Sequence, residues 1–211
     1  MGDLAERRGL TLSTAFRRAR GGSVSAKFHV AETELLGSLV GQLLDLVHGE
    51  QRDSSGDDPL AAVVGFGSQT SRPTDPVLLR LFPDGYQGDD ESAADFRRFT
   101  EESLREKKSS AAATVLASLA TADGARPDAA VEDTDVNQGE KVRVDLDKEQ
   151  SVAWLRTLTD LRLALGTRLG VEEGDEEHWA ALPPDDPRHH VHDVYDWLGW
   201  VQETLIRAVS P

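Results

Sequence analysis

The sequence contains no cysteine, and its only methionine is the first residue. A disulfide, a thiolate nucleophile and a cysteine-ligated zinc site are therefore all excluded for this chain. No apolar run approaches the roughly 20 residues a membrane-spanning helix needs. The N-terminal residues hold no hydrophobic signal segment either, so the chain is expected to be cytoplasmic. Motifs of nucleotide and acyl chemistry are missing. There is no G-x-S-x-G, no P-loop and no G-x-G-x-x-G, and Gly65-Phe66-Gly67 lacks the strand-to-helix context that would give it meaning. Positive charge is scarce, at 23 Lys and Arg against 38 Asp and Glu, for a formal net charge of −15. The shortage is uneven. Residues 1–30 carry a net +4, so the other 181 residues carry −19. Such a body repels phosphate backbones, and only the N-terminal segment could offer DNA a basic face. Either the acid serves solubility alone, or the counterpart is a basic protein surface.

What is present reads as helix. Length bounds the chain at one domain, residues 1–211, with flexible segments expected at about 49–58, 121–140 and 172–190. Near the start, Leu10 to Phe16 and Val24 to Val30 flank Arg20-Gly21-Gly22-Ser23, which predicts a hairpin. Lys141 to Leu146 alternates apolar and polar residues and could add a third strand. Leu36, Val40, Leu43 and Val47 recur at helical spacing within a helix from Glu32 to His48. Asp58-Pro59 and Asp75-Pro76 each signal the start of a short helix, the second running to Phe82. A longer helix is predicted from Glu91 to about Ala120, with a break near Lys107–Ser110 where the apolar stripe is interrupted. Asp147 can cap a helix from Lys148 to Leu169 that Gly170 would stop. A last helix spans Val191 to Val209, capped by His192 or Asp193. The expected fold is mainly α: a bundle of about four principal helices with a small antiparallel hairpin or three-stranded sheet.

Aromatic residues make up only 6% of the chain, yet Tyr195, Trp197 and Trp200 fall in less than two turns of the last helix. That concentration builds either a core or a docking face. Three charged positions stand out for their apolar surroundings. Arg80 lies among Val77, Leu78, Leu79, Leu81 and Phe82, which calls for a fixed carboxylate from Asp75, Asp84 or Asp196. The pairing would be an internal support or a contact for an anion or partner. Asp160 and Arg162 interrupt Leu158, Leu161, Leu163 and Leu165, so each must face solvent or be paired inside. Glu101 and Arg105 are an i, i+4 pair expected on a solvated helix face. Arg17, Arg18 and Arg20 form the basic cluster, a protected hairpin edge or a contact for acid. His189, His190, His192, Asp193 and Asp196 are the candidate metal cluster, but adjacent histidines point apart and no recognised ligand spacing is present.

Three segments carry a resemblance when taken together. They are Asp75-Pro76-Val77-Leu78-Leu79-Arg80-Leu81-Phe82-Pro83-Asp84, then residues 160–171 (DLRLALGTRLGV), then Val194-Tyr195-Asp196-Trp197-Leu198-Gly199-Trp200-Val201-Gln202-Glu203. Their order and spacing resemble an actinobacterial family once described only as a domain of unknown function and later as AosR-type oxidative-stress regulators. The similarity extends from the hairpin to the last helix. It implies a cytoplasmic, non-enzymatic regulator of transcription, linked to redox balance and cysteine supply. It also implies a protein partner, a sigma factor or RNA polymerase, in place of a DNA-binding motif of its own. No helix-turn-helix with a basic recognition helix is visible, which agrees with the acidic body.

The residues expected to carry the partner contact or a structural polar network are Arg80, Asp160, Arg162, Tyr195, Asp196 and Trp200. No metal, cofactor or catalytic residue is expected, and no direct sequence-specific DNA binding. Two other readings stay open. One is a metal-dependent hydrolase using His189, His192, Asp193 and Asp196; the other is an adaptor for proteolysis or assembly.

Overall fold

A computed structural model of the chain describes residues 14–53, 73–86, 88–123, 141–183 and 185–210. Among these the fold is mainly helical with one small antiparallel sheet, as the residue pattern predicts. The expected short helix at Asp58-Pro59 and the segment 121–140, apart from its first three residues, lie outside the described residues.

Strand β1 (Thr14–Arg18) turns into β2 (Val24–His29) through a 3-10 turn at Arg20–Gly22. Gly21 and Gly22 hold φ of 81° and 84° there, values an L side chain adopts only with strain. Strand β3 (Lys141–Leu146) pairs along the other side of β2, from Val24 opposite Leu146 to His29 opposite Lys141. The sheet order is β1-β2-β3, and the alternation in β3 buries Val142, Val144 and Leu146 on one face. The predicted start at Leu10 lies outside the described residues, and β1 carries an irregularity between Thr14 and Arg17.

Helix α1 (Val30–Asp53) follows β2 directly and buries Leu36, Val40, Leu43 and Val47. It runs five residues past His48, into the stretch expected as loop. Helix α2 (Pro76–Leu81) starts where Asp75 accepts the Val77 amide at 2.8 Å, with Pro76 at its first position. Helix α3 (Asp90–Asp123) has no break at 107–110, contrary to expectation. The apolar stripe is interrupted there because polar residues turn inward to polar partners: Lys108 to Asp160, and Ser109 to His48 at 2.9 Å.

Helix α4 (Lys148–Leu169) opens on a capping box. Asp147 accepts the Gln150 amide at 2.8 Å, and Gln150 accepts the Asp147 amide at 2.9 Å. Gly170, at φ 70°, ends the helix, and the Val171 amide returns to the Gly166 carbonyl. A short helix α5 (Glu176–Ala180) lies within the segment 172–190 expected to be flexible. Helix α6 (Arg188–Val209) begins three residues before the predicted Val191. Neither His192 nor Asp193 caps it. Asp186 accepts the Arg188 amide at 2.9 Å, satisfying a first-turn donor upstream of both. No helix among the described residues is long and apolar enough to cross a membrane.

The core forms where the sheet meets α4 and α6. Trp154 of α4 is fully buried, stacked on Phe28 at 6.0 Å and edge-on to Phe16 at 5.5 Å. Its indole N–H donates to Ser118 Oγ of α3 at 2.8 Å, so one side chain ties sheet, α3 and α4 together. α6 closes over β1, where Thr204 Oγ1 accepts the Phe16 amide and Arg18 donates to the Ala208 and Ser210 carbonyls. Trp154→Ala should reduce the unfolding free energy by about 3–5 kcal/mol, read as a lower urea midpoint at unchanged slope. A loss under about 1 kcal/mol would mean that the indole is not the core's anchor.

Candidate functional site

The residues singled out from the sequence fall into separate places, and α4 holds two of them on different flanks. α4 and α6 pack antiparallel, as three matched contacts show: Thr159 with Gln202, Arg162 with Gly199 and Gln202, and Gly166 with Tyr195. Arg162 and Gly166 are one turn apart on α4, and Tyr195 and Gly199 are one turn apart on α6. Each large side chain therefore lies over the glycine of the facing helix. A Cβ at Gly166 would stand 3.3 Å from the Tyr195 ring, and one at Gly199 would stand 3.4 Å from the Arg162 guanidinium.

Between these contacts Arg162 lies over the Tyr195 ring, 5.2 Å from its centroid, and donates to Gln202 Oε1 at 2.9 Å. Gln202 passes the chain on to Thr159 at 2.7 Å. Arg162 Nε is buried without a hydrogen-bond partner. Of the two outcomes open to Asp160 and Arg162, solvent or an internal partner, both take a partner inside the fold.

Asp160 points to α3, where Lys108 Nζ donates to its Oδ1 at 2.6 Å. Only 7% of the Asp160 side chain is exposed. Burial pushes its carboxyl above the usual 3.8, while the Lys108 hydrogen bond and charge pull the other way. Beside this pair sits a second one that the sequence reading misplaced. Glu101 and Arg105 are buried, not solvated; Arg105 donates to Glu101 at 2.7 and 2.9 Å and also to the Val47 carbonyl. Phe82 accounts for this. The Arg105 guanidinium lies 4.6 Å and the Lys108 ammonium 5.8 Å from its ring centroid, so one aromatic ring meets both cations. Arg97 pairs with Asp84 one turn before Glu101. Only a three-dimensional partner could reveal these positions, because an i, i+4 Glu/Arg pair on a long polar helix has the same spacing whichever way it faces.

Arg80 is exposed, and its three candidate carboxylates are used elsewhere. Asp75 takes Arg168 at 2.5 Å, Asp84 takes Arg97, and Asp196 takes His192 at 3.5 Å. The expected internal ion pair is therefore corrected: α2 buries Val77, Leu78 and Leu81 and turns Arg80 out. Trp197 and Trp200 are half-buried against the core. Tyr195 is half-buried at the helix crossing, so the concentration of aromatics in α6 is mostly packing. His192 stacks on Trp179 at 4.5 Å, and His189 faces the Leu182 carbonyl. Among the described residues no group of three or more His, Asp or Glu is placed to hold a metal ion.

Another feature escaped the sequence reading. Tyr86, Phe96 and Phe99 are 54%, 37% and 72% exposed, and the Tyr86 and Phe96 rings meet edge-on at 6.0 Å. Phe96 and Phe99 fall in a helix whose other aromatics are absent, and their outward phase could have been read from Ala93, Arg97 and Glu101 facing inward only once Arg97 and Glu101 were known to be buried.

Comparison with known proteins agrees with the three quoted segments. Residues 13–209 match the model of a family described as a domain of unknown function, DUF2017. The oxidative stress regulator AosR of Mycobacterium tuberculosis strain H37Rv is 33% identical over 190 residues, covering 83% of this chain and 77% of that protein. The AosR of Mycobacterium bovis matches to the same extent. A Mycobacterium leprae protein that carries the name provisionally is 32% identical over 192 residues, covering 84% of this chain and 78% of its own. No solved structure matches the chain.

The Asp160 environment has a measurable consequence. A carboxyl whose folded-state pKa is raised binds its proton more tightly in the folded protein. Its contribution to stability is largest below the unfolded value near 3.8 and is lost as pH rises through the folded value. Asp160→Asn has no such ionisation. The stability of the variant relative to the unsubstituted protein should therefore increase as pH is raised from about 4 towards neutrality, measured by urea midpoints across that range. A difference that shrinks with rising pH would mean that Lys108 outweighs desolvation.

Proposed function

The chain belongs to the family described as a domain of unknown function, DUF2017, and on that premise we propose that it is an oxidative-stress regulator that acts by contacting a protein and not by reading DNA itself. The observation that carries the regulatory part is its likeness, along most of the chain, to proteins named oxidative stress regulators. The mode of action is argued from charge. Three of the inward-facing cations are cancelled by acids, Arg97 by Asp84, Arg105 by Glu101 and Lys108 by Asp160. These pairs offset none of the net −15 of the sequence. A chain of that charge disfavours a duplex and favours a cationic polypeptide.

The partner proposed is a sigma factor, whose DNA-binding region is basic for the same electrostatic reason. A chain without cysteine cannot form a disulfide of its own. In this reading the oxidant-sensitive chemistry lies in another component, and this chain supplies the contact. Its site is cytoplasmic and it performs no catalysis.

The test is capture from extract with the purified, tagged chain. Recovery of a sigma subunit of RNA polymerase, lost when salt is raised, is the expected result. In parallel, the isolated chain should show no sequence-selective duplex binding at about 0.15 M salt by fluorescence anisotropy. Tight, sequence-selective binding to an operator at that ionic strength would overturn the proposal.

A further inference from the structure

The exposed aromatic ridge on the first half of α3 is, we propose, a docking face for a basic amphipathic helix of a protein partner; this rests on the preceding reading that the chain works by contacting a cationic protein. The ridge is built from Tyr86, Phe96 and Phe99, the last being the most exposed large apolar side chain among the described residues. Buried polar residues give it a fixed base. Arg97 pairs with Asp84, which pins α3 against the segment carrying Tyr86, and Arg105, paired with Glu101 within α3, ties the helix to the Val47 carbonyl of α1. Gly85 lies directly under the Phe96 ring, and a Cβ there would come within 2.7 Å of it. The ring is thus seated on backbone while its outer side is open. Arg98 lies 4.8 Å from the Phe99 centroid and covers only one flank.

Charge decides the occupant. Asp95, Phe99, Glu102 and Glu106 follow one another at i, i+4, i+7 and i+11, a single outward stripe in which every residue is exposed. Between residues 89 and 106 six exposed carboxylates face one exposed cation, Arg98. Two copies of the chain meeting here would bring like charges together, and an anionic lipid or nucleic-acid surface would meet the same repulsion. A helix with apolar side chains on one face and Lys or Arg beside them satisfies both parts of the surface. Its apolar residues cover the rings, and its cations reach the carboxylates. Aromatic anchors with a charged rim are also the pattern in which a few contacts dominate affinity.

The probe is an 18-residue fluorescein-labelled helical peptide of leucine and lysine with the leucines on one face. Its binding is followed by anisotropy and by amide shifts of the nitrogen-15-labelled protein. Shifts should centre on residues 85–106. Phe99→Ala, at an exposed position, should keep the melting temperature and weaken binding at least tenfold, as should the pair Asp95→Lys and Glu102→Lys. The pair Glu172→Lys and Glu173→Lys makes the same change in net charge away from the ridge and should leave affinity within twofold. Equal weakening by both charge pairs would reduce the effect to bulk electrostatics and overturn the proposal. Unchanged affinity in Phe99→Ala would do so too, as would self-association of the chain that this substitution abolishes.

The two readings fail separately. If the unsubstituted chain and the ridge variants capture a sigma subunit equally, the docking face is wrong and the regulator stands. If the peptide result holds and no sigma subunit is captured, the regulator falls and the docking face stands.

Discussion

Helix α4 packs against α1, α2, α3 and α6, and that constraint dictates where its inward-facing polar groups can sit. Arg156 and Lys148 on its open face reach water, whereas a polar side chain on a covered face must meet a partner on another element or remain unsatisfied. Trp154 meets Ser118, Asp160 meets Lys108, and Arg162 meets Tyr195 and Gln202. These partners come from α3 and α6, so the side chains that answer α4 also fix how the other long helices lie on it. Glycine at 166 and 199 is the complement of that demand, since larger residues would displace the Tyr195 ring or crowd the Arg162 guanidinium.

Phe82 has a comparable role on the other side. Its ring accepts two cations from α3 while its edges stay in the core, and the cations reach back to Glu101, Asp160 and the Val47 carbonyl. Buried ion pairs of this kind are weak evidence for net stability, because desolvation opposes the attraction. They are stronger evidence for register, since shifting α3 by a residue would separate Lys108 from Asp160 and Arg97 from Asp84. In the first half of α3 the inner face carries the paired Arg97, Glu101 and Arg105 while the outer face carries acid and exposed aromatic rings; the second half buries Ala112, Val115 and Leu119. That inversion separates what supports the fold from what is available to another molecule.

The sequence by itself determined the elements whose signals are local. The Gly21-Gly22 turn, the Asp75 and Asp147 caps, the Gly170 stop and the apolar spacing of α1 all act within a few residues of backbone, so composition and spacing suffice to read them. The family likeness was legible for the same reason, in three short segments of fixed order. Tertiary structure alone decided which way charge faces. Arg80 turns out although apolar residues surround it in sequence, Glu101 and Arg105 turn in although their spacing suits a solvated face, and α3 continues through Lys107–Ser110 because Asp160 and His48 wait there. The physical reason is that a charge is placed by its partner and its local dielectric, which for Arg105, Lys108 and Ser109 include residues 50 or more positions away, whereas a turn or a cap is placed by the chain's own geometry.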